Sequence, residues 1–368
     1  MYTEKDLVRI AKRENNMKRQ YLVVNRLQGK HIPVSPKEAF SMFSELADMV
    51  KARYEGETLL LIGFAETATA IGAALAKELN TYYMQTTREN IRDVEYLFFS
   101  ESHSHATEQK LVKTDLDTVI NKIDRIIFVE DEVTTGNTIL NIINIIEKEY
   151  SRKIKFSVAS LLNGMDEKSE KVYDERNIDT LYLVKTNHGK YTEIAQRFKG
   201  DGVYHTCNIK NENIPFQEET VSNYVNARRL NLGGDYNKCC EKMWEEISGK
   251  TDIGENKNVL VIGTEEFMYP ALFAAKKIEE NNNIVRCHST TRSPIEVSSE
   301  EEYPLHQRYE LKSLYDNDRK TFIYDIGRYD MVIIITDSYS DAEDGVNSLI
   351  NAVYGCGNEK ICLIKCKA

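Results

Sequence analysis

The 368-residue sequence predicts an α/β protein with two parallel sheets, each covered by helices on both faces. Three observations carry this. Apolar runs of strand length alternate with stretches of helical spacing. Those runs are apolar throughout rather than every second residue, as in strands buried on both sides. The alternation occurs twice, separated by a polar stretch around residues 206–257, and a chain this long usually needs more than one core.

In the first alternation, residues 36–54 have helical spacing behind a starting Pro. "TLLLIG" (58–63) reads as a buried strand, and "ETATAIGAALAKEL" (66–79) as a helix opened by small hydroxyl residues. Strands follow at 81–87, 125–130, 153–162 and 180–184, with a helix at 137–150. Residues 89–122 read as a long polar loop, and a loop of that length within a compact domain usually serves function. The second alternation runs through strands at 258–263, 283–291, 329–337 and 360–366, with helices at 269–280 and 343–354. The expected organisation is a first domain over 1–205, a linker and connecting helix over 206–257, and a second, Rossmann-like α/β domain over 258–368.

Charged residues make up 29% of the chain and the net charge is −10, which argues against non-specific nucleic-acid binding. No apolar run approaches the roughly 18–20 residues of a membrane span, and the first twenty residues lack the apolar core of a signal peptide. A cytoplasmic location is the expectation. The seven cysteines contain no Cys-x-x-Cys pair, so they read as reduced, mostly buried thiols.

The most informative segment is "FVEDEVTTGNT" (128–138). Two adjacent acids, Glu130 and Asp131, stand at the carboxyl end of a strand, where open parallel sheets bind ligands. Thr134, Thr135, Gly136, Asn137 and Thr138 lead from there into a helix. Free N–H groups of a first helical turn, with hydroxyls beside them, hold a phosphate. Two carboxylates a few residues earlier accept from a diol. A ribose 5-phosphate has both features at that spacing. A capped helix with a solvated acidic turn is the plainer alternative. The sequence holds neither Gly-x-x-x-x-Gly-Lys-Ser/Thr nor Gly-x-Gly-x-x-Gly after a strand, so kinase and dinucleotide readings lose ground.

This segment resembles the 5-phosphoribosyl-1-pyrophosphate (PRPP) signature of type I phosphoribosyltransferases. Glu132 departs from it, standing where the family usually has an apolar residue. The resemblance implies a family fold with a small N-terminal hood, here within residues 1–35, that covers the acceptor base; Gln28, Lys30 and His31 are its candidates there, and Asn163 in "SLLNG" is a further acceptor candidate. It implies that the first strand–helix loop, Ala65, Glu66, Thr67, Ala68 and Thr69, binds pyrophosphate through backbone N–H groups. Arg88, at the end of the next strand, is suited to neutralising that anion. His103 and His105, in the place of the family's mobile catalytic loop, would contact pyrophosphate; a solvated loop and a metal-binding pair are the alternatives. The implied cofactor is Mg²⁺, held mainly by PRPP oxygens, with Glu130 and Asp131 acting on it indirectly. The implied reaction is transfer of 5-phosphoribosyl from PRPP to a nitrogen-heterocycle acceptor, releasing pyrophosphate. The alternatives are a regulatory protein that binds PRPP or a nucleotide without turnover, and a PRPP-synthetase-like enzyme using ATP. Family members often dimerise.

"STTRSPI" (289–295) carries a second resemblance, to the TRSP domain found behind a phosphoribosyltransferase domain of the orotate-like branch in tellurium-resistance-type stress-response gene clusters. Glu265, Glu266, Thr290, Thr291, Arg292, Ser293 and Asp337 would line a second pocket there, with Arg292 facing an anion. At an offset of 200, "LLLIGFAETATAIGAALAKEL" and "VLVIGTEEFMYPALFAAKKIE" share Gly63/Gly263 and Glu66/Glu266, and "TTR" recurs at 86–88 and 290–292. Either an old duplication or convergence of two similar units accounts for this echo.

Overall fold

The computed structural model describes residues 1–14, 19–99, 109–207, 214–338 and 343–367. The chain forms two compact units, neither continuous in sequence. The first comprises Met1–Glu4, Phe40–Asn187 and Val225–Lys238, the second Lys5–Ala39, His188–Tyr224 and Cys239–Ala368. Among the described residues no helix is long and apolar enough to cross a membrane.

The first unit holds a six-stranded sheet. Its order is Asn231–Leu232, Tyr82–Gln85, Leu59–Gly63, Arg125–Val133, Lys155–Asn163 and Asp179–Lys185. The last five run parallel, and the two-residue edge strand is antiparallel. Every residue of Leu59–Gly63 is buried, and each fully buried Leu or Ile contributes about 2 kcal/mol. Helix Thr69–Leu79 packs closely on this strand: a Cβ on Gly72 would lie 3.1 Å from the Cα of Gly63 and 2.8 Å from the Tyr83 ring. Pairing of Gly63 with Gln85 and Val129, Glu130 with Ser160 and Val133 with Asn163 aligns the carboxyl ends of the strands at one edge.

The described residues of 89–122 are not the irregular loop their polarity suggests. Tyr96–Phe99 and Gln109–Val112 form an antiparallel hairpin, followed by helix Lys113–Val119. Phe99 makes an edge-on contact with Phe64, centroids 5.8 Å apart. An aromatic run that buries alternate residues outweighs the polar flanks.

The second unit is built on a five-stranded parallel sheet, in the order Gln217–Val221, Ile361–Cys366, Met331–Thr336, Asn258–Gly263 and Ile284–Ser289. A three-stranded sheet of Val203–Thr206, Gln307–Lys312 and Lys320–Tyr324 accompanies it. The segment expected to be a hood forms a hairpin, Val8–Lys12 with Tyr21–Asn25, inside this unit. There Ala11 and Val24 share a core with Ile295, Val297 and Phe322. Nor do the described residues of 206–257 form a linker. Gln217–Val221 completes the second unit's sheet and Asn231–Leu232 the first unit's. The unit boundary falls inside helix Gly233–Lys250, after Lys238.

Candidate phosphoribosyl site

The site of the first unit grows from strand Arg125–Val133 and the helix after it. The strand runs three residues past the expected exit, so Glu130, Asp131 and Glu132 are half-buried strand residues near its carboxyl end. Side chains alternate faces along a strand. Glu130 and Glu132 therefore share one face, and Asp131 takes the other. Asp131 Oδ1 accepts from Thr67 Oγ1 at 2.8 Å, which brings the acid and the first strand–helix loop together. Burial pushes the Asp131 carboxyl above the usual carboxylate range, and the neighbouring Glu132 charge pushes it the same way against the Thr67 hydrogen bond.

The turn is built around Gly136. Its φ of 68° is a left-handed conformation that costs other residues roughly 1 kcal/mol. An added Cβ would fall 2.2 Å from the Tyr173 hydroxyl, and that hydroxyl donates to the Gly136 carbonyl at 2.8 Å. Tyr173 thus fixes the turn from below. Thr134 and Thr135 are half-buried, Asn137 is exposed, and helix Asn137–Glu149 begins there. The Asn137 N–H points toward Thr135 Oγ1 at 3.4 Å. The first-turn N–H groups of this helix point out of its N-terminal end, as an anion cradle requires.

The loop of Ala65–Thr69 is held on three sides. The Ala65 N–H donates to Thr86 Oγ1 at 2.8 Å, Thr86 Oγ1 donates to Gln109 Oε1 at 2.6 Å, and Gln109 Nε2 donates to the Ala65 carbonyl at 2.9 Å. Thr69 Oγ1 donates to the Glu66 carbonyl at 3.3 Å. The Ala65–Glu66 peptide bond is cis, and Ala65, Glu66 and Ala68 are buried. Arg88 lies half-buried beyond Thr86 and Thr87. Thr86, Gln109 and Tyr173 are positioning residues that the sequence reading missed. For Tyr173 a signal existed, a lone aromatic residue in the charged helix "EKSEKVYDE".

Several expected site residues lie elsewhere. His103 and His105 fall outside the described residues. Asn163 is 1% exposed. Its Oδ1 accepts from the Met165 N–H at 2.9 Å and Lys185 Nζ at 3.1 Å, so it closes its own turn instead of offering itself to an acceptor. Gln28, Lys30 and His31 belong to the second unit and are buried there. Lys30 Nζ donates to the carbonyls of Glu265 at 3.0 Å and Thr290 at 2.9 Å. An ammonium fully buried on two carbonyls is a structural clamp.

In the second unit Glu265, Glu266, Thr290 and Arg292 come together. Glu265 Oε2 accepts from Arg292 Nε at 2.5 Å and Arg319 Nη1 at 2.9 Å, and Glu266 Oε1 lies 3.3 Å from Arg292 Nη2. Asp337 accepts from Tyr224 and Tyr315 hydroxyls at 2.6 and 2.7 Å, and Tyr315 Oη lies 2.8 Å from Thr264 Oγ1. Thr291 and Ser293 are tied to strand Lys320–Tyr324. Thr291 exchanges backbone hydrogen bonds with Phe322, and the Ser293 carbonyl accepts from Tyr324.

Residues 7–187 match the family model described as phosphoribosyl transferase. Residues 234–353 match the model described as the TRSP domain C-terminal to it. No curated protein matches the chain. Similar solved structures include adenine phosphoribosyltransferase from Rhodothermus marinus, 15% identical, with 50% of this chain and 96% of that chain covered and a TM-score of 0.36. The Giardia lamblia enzyme complexed with 9-deazaadenine is 15% identical, covering 51% of this chain and 100% of its own, at a TM-score of 0.36. The enzyme from Trypanosoma brucei, in complex with AMP, pyrophosphate and ribose-5-phosphate, is 14% identical, covering 49% and 76%, at a TM-score of 0.35. The chain thus belongs to the family in which a phosphoribosyltransferase domain is followed by a TRSP domain.

Proposed function

We propose that the first unit transfers the 5-phosphoribosyl group of PRPP to a nitrogen-heterocycle acceptor and releases pyrophosphate. The observation that carries this reading is the hydrogen bond between Asp131 and Thr67. It links an acidic pair suited to a ribose diol with a loop suited to pyrophosphate, next to a helix N-terminus suited to the 5-phosphate. In this reading the turn of Thr134, Thr135, Gly136, Asn137 and Thr138 grips the 5-phosphate with backbone N–H groups and hydroxyls. Glu130 and Asp131 accept from the ribose hydroxyls and stabilise positive charge developing on the sugar. The loop of Ala65–Thr69 and Arg88 take the charge that builds on departing pyrophosphate.

The acidic pair also suits Mg²⁺, a hard cation that prefers carboxylate, phosphate and water oxygens. Among the described residues no group of three or more acidic, His or Cys side chains gathers to hold a metal. Such an ion would therefore be held largely by PRPP oxygens, with Glu130 and Asp131 completing its surroundings. Its contribution when bound is to neutralise phosphate charge.

Calorimetric titration of PRPP with Mg²⁺ tests the reading, into the wild type and into Asp131→Asn combined with Thr135→Ala. Binding by the wild type, and its loss in a double variant with unchanged circular dichroism, is the expected result. No binding by the wild type would sink it. Binding without pyrophosphate release across an acceptor screen would transfer the protein to the non-catalytic, PRPP-sensing class.

A further inference from the structure

Two loops of this chain, one in each unit, are built alike. In the first unit the Thr86 N–H donates to the Gly63 carbonyl at 3.0 Å, and the Ala65 N–H donates to Thr86 Oγ1 at 2.8 Å. In the second, the Thr290 N–H donates to the Gly263 carbonyl at 3.1 Å, and the Glu265 N–H donates to Thr290 Oγ1 at 3.0 Å. Thr87 exchanges backbone hydrogen bonds with Lys110, and Thr291 does so with Phe322, in both cases on a strand of an antiparallel hairpin. Each loop leads into a helix and then a parallel strand, and in each unit the third strand of the repeat pairs with the first. Ala65 and Glu265 therefore occupy equivalent places, as do Arg88 and Arg292. At the place where the first loop carries a methyl group, the second carries a carboxylate.

That carboxylate is 1% exposed. Oε2 takes Arg292 Nε and Arg319 Nη1, and Oε1 takes Ser313 Oγ at 2.5 Å. Lys30 Nζ sits against the same residue's carbonyl. Glu265 is held at a φ of 48°, unfavourable for a side chain of this size. The surrounding contacts keep it there. Lys30, Arg292 and Arg319 are balanced by Glu265, Glu266 and Asp316, three charges against three. Two guanidinium groups and a hydroxyl converging on one buried point have the donor set of a phosphate site.

We propose that this is an anion site occupied by the chain's own Glu265, so that the second unit binds no phosphate or pyrophosphate while that carboxylate is in place. The inference does not depend on turnover by the first unit. The test is thermal unfolding of the full-length wild type and of Glu265→Ala in orthophosphate and in pyrophosphate, with sodium chloride at matched ionic strength as control. The first unit contributes equally to both proteins, so the difference between them reads the second unit. Glu265→Ala is expected to melt lower than wild type and to regain roughly 5 °C more than wild type gains when the anion reaches about a hundred times its dissociation constant. Adding Arg292→Met is expected to abolish that extra gain. Equal responses of wild type and Glu265→Ala would overturn the assignment, and so would a gain that survives Arg292→Met. If Glu265→Ala does not fold, Glu265→Gln serves. It keeps the shape and the Ser313 contact without the charge, and a gain no larger than that of wild type would again overturn the assignment.

Discussion

Strand Arg125–Val133 has two ends that are built oppositely. At its start, Arg125 Nε and Nη2 hold Glu57 at 2.7 and 3.2 Å, Nη1 donates to Ser157 Oγ at 2.6 Å, and the guanidinium stacks on Tyr54 at 4.1 Å. Lys155 adds a second cation to Glu57 at 2.8 Å. At its finish, Glu130, Asp131 and Glu132 stand in succession, and burial and like charge push the Asp131 carboxyl up. One end is electrostatically complementary and the other is frustrated. Stability concentrates at the first; under the proposed function the second keeps its carboxylates for ribose hydroxyls and a Mg²⁺ ion.

Substitutions at the two ends sharpen this contrast. The largest expected effect is at the start: Arg125→Met leaves the Glu57 carboxylate with Lys155 as its cation and Ser157 Oγ with Tyr54 as its donor, costing about 3 kcal/mol in denaturant unfolding. PRPP affinity, measured by calorimetry on the folded fraction, should be unchanged; a large loss would mean that the two ends are coupled. Next is Gly136→Ala at the finish. Its Cβ would overlap Tyr173 and its φ is left-handed, so roughly 2 kcal/mol of stability should be lost together with PRPP binding.

A smaller effect is expected from pH. Arg125 and Lys155 hold the Glu57 carboxyl down at about 2, from an ordinary 4.5. Its contribution is therefore complete above about pH 4.5 and is lost as the pH falls toward 2. Glu57→Gln should flatten that acid limb in pH-dependent unfolding, and an unaltered limb would place acid sensitivity elsewhere. The smallest effect has the opposite sign. The Asp131 carboxyl is raised, so stability declines as pH rises through its folded-state pKa. Asp131→Asn should melt slightly higher than wild type at neutral pH, by less than about 1 kcal/mol, with the gain vanishing in acid. A lower melting temperature at neutral pH would remove the frustration from the comparison.

Much of the proposed first site is legible in the sequence because its signals are local. An apolar run, two acids and a Thr-Thr-Gly turn lie within eleven residues, and the chemistry proposed for them rests on the strand–turn–helix they form. What failed was non-local. Lys30 reads as a hood candidate beside the acceptor base, and its partners lie 235 and 260 residues away in the chain. Asn163 looked like a reader of the acceptor, and it is spent on its own turn. Tyr224, Ser313, Tyr315 and Arg319 sit in polar stretches without periodicity, so nothing in their spacing announced a cluster. The "TTR" echo was visible as letters. Only the hydrogen bonds of Thr86 and Thr290 gave it a physical meaning.

The interleaving of the two units sets an order on synthesis. Residues 5–39 leave the ribosome well before the rest of their unit, and the strand edge that receives Val34, at Cys287, is made about 250 residues later. The first unit can close its sheet once Asn231–Leu232 has emerged. The early hairpin must meanwhile wait with its apolar face uncovered, a long-range closure that is slow and vulnerable to misassociation. A nascent chain arrested before residue 258 would thus carry a nearly complete first unit and an orphaned hairpin, which makes that hairpin the place where a chaperone would be needed.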